Sequence, residues 1–144
     1  MLPGIKSYLE QQGITGAIRL GSMPDQPDSC IALFEYAGSP PDLHWPGEYP
    51  GLQVRVRDAS YPDGRARIEE VIRVLHGLHE QALGGVRYLL IKARHSPEVL
   101  KRDASDRIEF FVNFDVMKEV RAIENDGPEK PENGNGDDED IEEI

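Results

Sequence analysis

The stretch RIEFFVNFDV, residues 107–116, is the strongest structural signal in the sequence, because apolar and polar side chains alternate along it, interrupted only by Phe111. The alternating apolar residues are Ile108, Phe110, Val112, Phe114 and Val116. Successive side chains of a β-strand point to opposite faces of the sheet, so this spacing predicts a long strand with one strongly apolar face. That face needs an apolar cover from another element of the chain.

A helix upstream of this strand supplies the cover. Apolar residues recur there at helical spacing, namely Ile68, Val71, Ile72, Leu75, Leu78 and Ala82. The spacing predicts an amphipathic helix over residues 64–82, which Gly84 and Gly85 end. This main helix is expected to pack on the sheet.

The rest of the chain supplies further strands and one short helix. Apolar and β-branched patterns predict strands at 17–20, 30–36, 52–57 and 86–94, and a helix at 3–12 that begins at Pro3. Four prolines predict that residues 37–50 form a loop, which Trp45 anchors, and a second loop is expected between the last two strands. The fold class is therefore α+β, a single domain with a mixed or mainly antiparallel sheet packed by the main helix and the short N-terminal helix.

The net charge of −11 is unevenly distributed along the chain. Residues 124–144 hold ten acidic residues and one basic residue, so the rest of the chain carries only −2. The acidic segment has no aromatic residue and is rich in Pro, Gly and Asn, which predicts a disordered tail over residues 123–144 after a domain at 1–122. The near-neutral domain argues against specific nucleic-acid binding, which requires clustered basic residues.

Cys30 is the only cysteine, so no intramolecular disulfide forms and a reducing compartment is expected. No apolar run approaches the roughly 20 residues of a membrane span, and the N-terminal residues do not resemble a secretion signal. These features favour synthesis in the cytoplasm and exclude a membrane role.

The sequence contains no recognisable catalytic motif, metal site or cofactor motif. His76 and His79, three residues apart in the predicted main helix, are the strongest metal candidate, but their spacing differs from that of HExxH and HxxEH. Nucleophile elbows and glycine-rich phosphate loops are also absent from the sequence. We therefore expect no catalytic residue, no metal and no cofactor.

Two arginines lie on the polar side of the predicted strand 52–57. Arg55 and Arg57 alternate with apolar residues, and the last strand carries charged residues on its own polar side. Such charges form either a solvated surface or a contact with a neighbouring subunit.

Three blocks of the sequence together resemble the minor capsid or tail-terminator family of tailed bacteriophages. The blocks are MPDQPDSCIALFEYAGSPP at Met23–Pro41, PGLQVRVR at Pro50–Arg57 and RIEFFVNF at Arg107–Phe114. They occur in the family's order, and the resemblance spans about residues 3–117. The acidic tail lies outside it.

The resemblance implies a structural virion protein at the head–tail junction. Members of this family form a homo-oligomeric ring, usually hexameric, which ends the tail tube and contacts the tail-tube protein and a head-completion or connector protein. DNA passes through such a ring without being bound specifically. Gln53, Arg55, Arg57 and Asn113 are the expected subunit-contact residues.

Two alternatives remain open from the sequence. The chain could be another connector or tail component, such as a head-completion protein or a tube subunit. A protein of a different class, a small ligand-binding domain or hydrolase, would use the face that carries His76 and His79.

Overall fold

The computed structural model describes residues 1–119, which form two helices and seven strands. The helices are α1 (Leu2–Gln11) and α2 (Tyr61–Leu75). The strands are β1 (Ala17–Leu20), β2 (Cys30–Ser39), β3 (Gly47–Asp58), β4 (Leu78–Leu83), β5 (Val86–Ala93), β6 (Glu98–Arg102) and β7 (Ile108–Glu119). None of the helices in this part of the chain is long and apolar enough to cross a membrane.

All seven strands belong to one sheet, in the order β1-β2-β3-β7-β5-β4, with β6 also paired to β7. Only β1 and β2 are parallel, and every other pair described is antiparallel. Strand β7 is central because β3 lies along one side of it and β5 and β6 share the other. The long alternating stretch of the sequence is therefore the strand around which the sheet is organised.

Both helices cover the same face of the sheet. Helix α2 packs on β3, β5 and β7, whereas α1 contacts β1 and β2 at one end of the sheet and β4 at the other. A sheet whose two ends meet one helix must curl around it, so the helices fill the concave side. One continuous apolar core joins them to the inward side chains of the strands.

The predicted fold class is confirmed in its main features. Strand β7 buries all five of the alternating apolar residues, from Ile108 to Val116. The short N-terminal helix, the strand at 17–20 and the strand that begins at Val86 lie where the sequence places them. The predicted tail at 123–144 lies outside the described residues.

The prediction of a helix over residues 64–82 is wrong at both ends. Ser60 caps α2 by accepting a hydrogen bond from the Asp63 amide, so the helix begins at Tyr61, with Pro62 in its first turn. It ends at Leu75 because Gly77 has φ of 85°, a left-handed conformation that stops a helix. The residues that follow pair with β5 as strand β4, so strand pairing overrides the helical spacing of Leu78 and Ala82.

The two predicted loops are also shorter than expected. Strand β2 extends to Ser39 and β3 begins at Gly47, and a register shift between Tyr36 and Ser39 lets the pairing continue close to the prolines. In the second loop, residues 98–102 form the edge strand β6. All five of its residues are exposed, so it lacks the buried alternation that identifies a strand in a sequence.

Tyr88 offers a test of the core because its side chain is fully buried and its hydroxyl has no hydrogen-bond partner among the described residues. Burial, together with the charge of Glu35, raises the pKa of Tyr88 to about 12. An unpaired buried hydroxyl costs stability, so Tyr88→Phe should raise the free energy of unfolding by about 1 kcal/mol. Urea unfolding of the two proteins checks this, and a loss of stability in Y88F would contradict the unpaired state of the hydroxyl.

Candidate functional site: the helix-free face of the sheet

The convex face of the sheet carries no helix, and its centre is occupied by polar and aromatic side chains. We call it the open face and define its centre as Phe34, Tyr36, Gln53, Arg55, Phe111 and Asn113. These residues are half-buried rather than fully exposed. They come from β2, β3 and β7, whose apolar residues of opposite parity face the core.

A row of hydrogen bonds crosses the open face. Gln53 lies directly opposite Asn113 in the register of β3 and β7, and its Nε2 donates to the Asn113 Oδ1 at 3.0 Å. Arg55 Nε donates to the Gln53 Oε1 at 2.7 Å. The Arg55 guanidinium lies over the Phe34 ring, 4.6 Å from its centroid, in a cation–π contact.

This row holds polar side chains in fixed positions while leaving the Arg55 charge unpaired. Arg55 makes no salt bridge to an acidic residue among residues 1–119. A shallow cavity of about 400 Å³ opens above Arg55, Gln53 and Asn113. The arrangement can therefore accept an acidic or hydrogen-bonding group from another molecule.

Arg57 lies on the same face of β3, but its side chain is buried, with 3 % exposed. Its guanidinium donates to the carbonyl oxygens of Asp25, Pro27 and Asp28, at 3.2, 2.6 and 3.1 Å. Arg57 therefore holds residues 25–28 of the β1–β2 loop against the end of the open face. The structure separates it from Gln53, Arg55 and Asn113, which it brings together.

Arg107 holds the same loop from the start of β7. Its guanidinium donates to the Asp25 carbonyl oxygen and forms salt bridges with Asp25, Asp28 and Asp103. Neighbouring carboxylates and hydrogen bonds raise the pKa of Arg107 despite its burial. The sequence does not indicate this contact between Arg107 and the β1–β2 loop, since Asp25 and Arg107 are 82 residues apart.

Asp103, which forms a salt bridge with Arg107, should make the stability of the protein depend on pH. The pKa of Asp103 is lowered from its ordinary 3.8, first by the hydrogen bond from the Arg107 amide, and further by the Arg107 side chain and the Ser105 amide. A carboxyl with a lowered folded-state pKa stabilises the fold above its unfolded pKa, and this contribution is lost as the pH falls through the folded value.

Asp103→Asn should therefore reduce the free energy of unfolding at neutral pH. As the pH falls below about 4, the variant should lose less stability than the wild type does. Thermal unfolding of both proteins over this range checks the prediction. Parallel curves for the wild type and D103N would contradict it.

The remaining candidates from the sequence lie elsewhere. His76 caps the end of α2, with its Nδ1 accepting from the Ala93 amide, whereas His79 lies in β4. They do not share a helix face, so the premise of that metal candidate is wrong. No group of three or more metal-ligating side chains occurs within residues 1–119. Cys30 is buried, and desolvation raises the pKa of its thiol.

The chain is similar to a known protein family and to a solved structure. A family model described as "Bacteriophage tail terminator protein" matches residues 8–120. A chain from the solved structure titled "Virion of native gene transfer agent (GTA) particle" has a TM-score of 0.69 and 15% sequence identity, and the match covers 83% of this chain and 95% of that one. No curated protein shows significant sequence similarity. At such low identity the solved structure shows a shared fold.

Proposed function

Since the chain belongs to the bacteriophage tail terminator family, we propose that it forms a closed ring at the end of the tail tube, stops the growth of the tube and joins the tail to the head connector. The family makes it a structural protein of the virion. The ring, its hexameric symmetry and its partners, the tail-tube protein and a head-completion or connector protein, are parts of the proposal.

One observation supports the ring, namely the open face with its pre-ordered row of polar and aromatic side chains. The helices bury the concave face in the core, and no helix covers the convex face. Arginine and aromatic residues are enriched at the centres of protein interfaces. A contact between this face and a different surface of the next subunit is heterologous, and heterologous contacts close into rings at a fixed rotation.

Gln53, Arg55 and Asn113 make the subunit contact in this proposal. Their mutual hydrogen bonds fix the side chains before assembly, which reduces the ordering entropy lost on binding. Arg55 supplies the charge that meets an acidic group of the neighbour. Arg57 contributes indirectly, because it positions residues 25–28 beside the contact.

Termination follows from the difference between the two sides of the ring. One side matches the last ring of the tail tube, whereas the other side offers no copy of that surface, so tube subunits cannot continue to stack. The near-neutral charge of the domain suits a channel through which DNA must slide, because clustered basic residues would hold its phosphates.

Tail assembly in the presence and absence of the protein tests this function. With the protein, electron microscopy should show tails of uniform length that join to heads, and without it the tails should be overlong and headless. Tails of normal length and normal joining in its absence would contradict the proposal. Long tubes formed by the purified protein itself would instead identify a tube subunit.

A further inference from the structure

A rigid arm with an exposed apolar tip projects from the sheet between β2 and β3. We define the arm as residues 38–49 and its tip as residues 40–46. Leu43 in the tip is 92% exposed, and Trp45 is 41% exposed. Leu43 contributes almost nothing to the packing of its own chain, although an exposed leucine is costly in water.

The tip is ordered by contacts within the arm. The Asp42 amide donates to the Gly47 carbonyl oxygen at 3.1 Å, and the Tyr49 hydroxyl donates to the Asp42 carboxylate. The Trp45 ring packs on Gly47 so closely that a Cβ at that glycine would lie 1.8 Å from the ring. Prolines at 40, 41 and 46 restrict the backbone further. The apolar tip is therefore held in place before any partner binds.

A groove that is partly lined by apolar side chains lies on the open face, at the base of the arm. The groove has a volume of about 620 Å³, and its lining includes the apolar side chains of Leu90 and Met117. Leu90 and Met117 are each more than a third exposed. Lys92, Arg94 and Asp115 also line the groove. Arg94 forms a salt bridge with Asp115 at 3.4 Å, whereas Lys92 has no salt bridge among the residues that the structure describes.

The structure points to a second copy of this chain as the occupant of the groove: we infer that the arm tip of one subunit inserts Leu43 into the groove of the next subunit. In this contact Leu43 packs against Leu90 and Met117, and the Asp42 carboxylate meets Lys92, the basic residue of the lining that forms no salt bridge within residues 1–119. Each chain has one tip and one groove, so the contact is directional and repeats around a ring.

The groove also adjoins the proposed subunit contact. Tyr36 lines both the groove and the cavity above Gln53, Arg55 and Asn113. A neighbour that seats its arm tip in the groove would therefore also lie beside those residues. The inference rests on the proposed function, because it names the second surface that the ring requires.

Disulfide trapping on capped tails tests the inference. Tails are assembled with an equimolar mixture of the full-length Leu43→Cys and Leu90→Cys variants and are then oxidised. Leu43 is almost fully exposed and Leu90 is partly exposed, so thiols at both positions are accessible, whereas the native Cys30 is buried. The mixture should form a disulfide dimer, and a double variant should form a ladder that ends at the size of the ring.

A mixture of L43C with Arg73→Cys is the matched control, because Arg73 is well exposed on helix α2, away from the open face. Two thiols held in contact have a high effective concentration, so the first mixture should give at least about tenfold more dimer than the control. Uniform tails without an L43C–L90C dimer would overturn the inference about the arm, but they would not contradict the proposed ring.

The acidic tail is the competing occupant of the groove. A variant with Ile141→Cys, placed near the end of the chain, reports on it. Capture of L90C by I141C in place of L43C on capped tails would overturn the inference. Tails that are not capped by the wild-type protein would contradict the proposed function itself.

Discussion

Phe110→Ala should lower the free energy of unfolding by about 3–5 kcal/mol, the usual cost of removing a large buried aromatic side chain. Phe110 is fully buried in β7. Its ring meets the Tyr61 ring edge-on, with centroids 5.2 Å apart, and it packs closely against Gly64 of α2. The substitution leaves a cavity between the sheet and the main helix, and the loss is measured by urea unfolding.

Phe111→Ala is the matched control, since the same side chain is removed one residue further along the same strand. Phe111 points to the open face, where it is half-buried and contacts the His95 ring at 5.5 Å between centroids. Its removal should cost less than about 1.5 kcal/mol, because it opens no cavity in the core. Equal losses for F110A and F111A would contradict the assignment of one core face and one open face.

Arg55→Glu should abolish capping of tails while leaving the fold intact. The guanidinium of Arg55 closes the polar row by its bond to Gln53 and carries the charge that is unpaired within its own chain. A glutamate there would place a negative charge opposite the acidic group proposed for the neighbour, and such like-charge contacts cost several kcal/mol. Tail length measured by electron microscopy and the circular dichroism of the purified variant provide the two readouts.

Arg73→Glu makes the same change of charge on the exposed side of α2, where the Arg73 side chain is 70% exposed. It should leave tail length unchanged, which separates an effect of net charge from an effect of position. Normal capping by R55E would remove Arg55 from the subunit contact, and loss of capping by both variants would point to net charge.

The architecture of the sheet was predictable wherever one face of a strand packs on the core. Strand β7 alternates apolar and polar residues over most of its length, and burial follows that alternation. The sequence failed where pairing between distant segments decides the structure. Residues 78–83 fit a helical spacing, yet Gly77 turns the chain and β5 pairs with them. Strand β6 was missed because every residue in it is exposed.

The candidate site was predictable in part for the same reason. Alternation places Gln53, Arg55 and Arg57 on one face of β3, but it gives neither the register that sets Gln53 opposite Asn113 nor the cover that buries Arg57. That cover comes from a loop anchored jointly by Arg57 and Arg107, residues that are far apart in the sequence. The subunit-contact role of all four residues stays a prediction.

Imaging of labelled tail ends shows whether the protein forms a ring at the end of the tail tube. A bulky tag fused after Ile144 marks the protein, and averaged electron micrographs of purified tails locate it. We expect a closed ring of label at the head-proximal end of each tail and nowhere else. Label along the whole tube, or joined particles of normal length that carry no label, would contradict it.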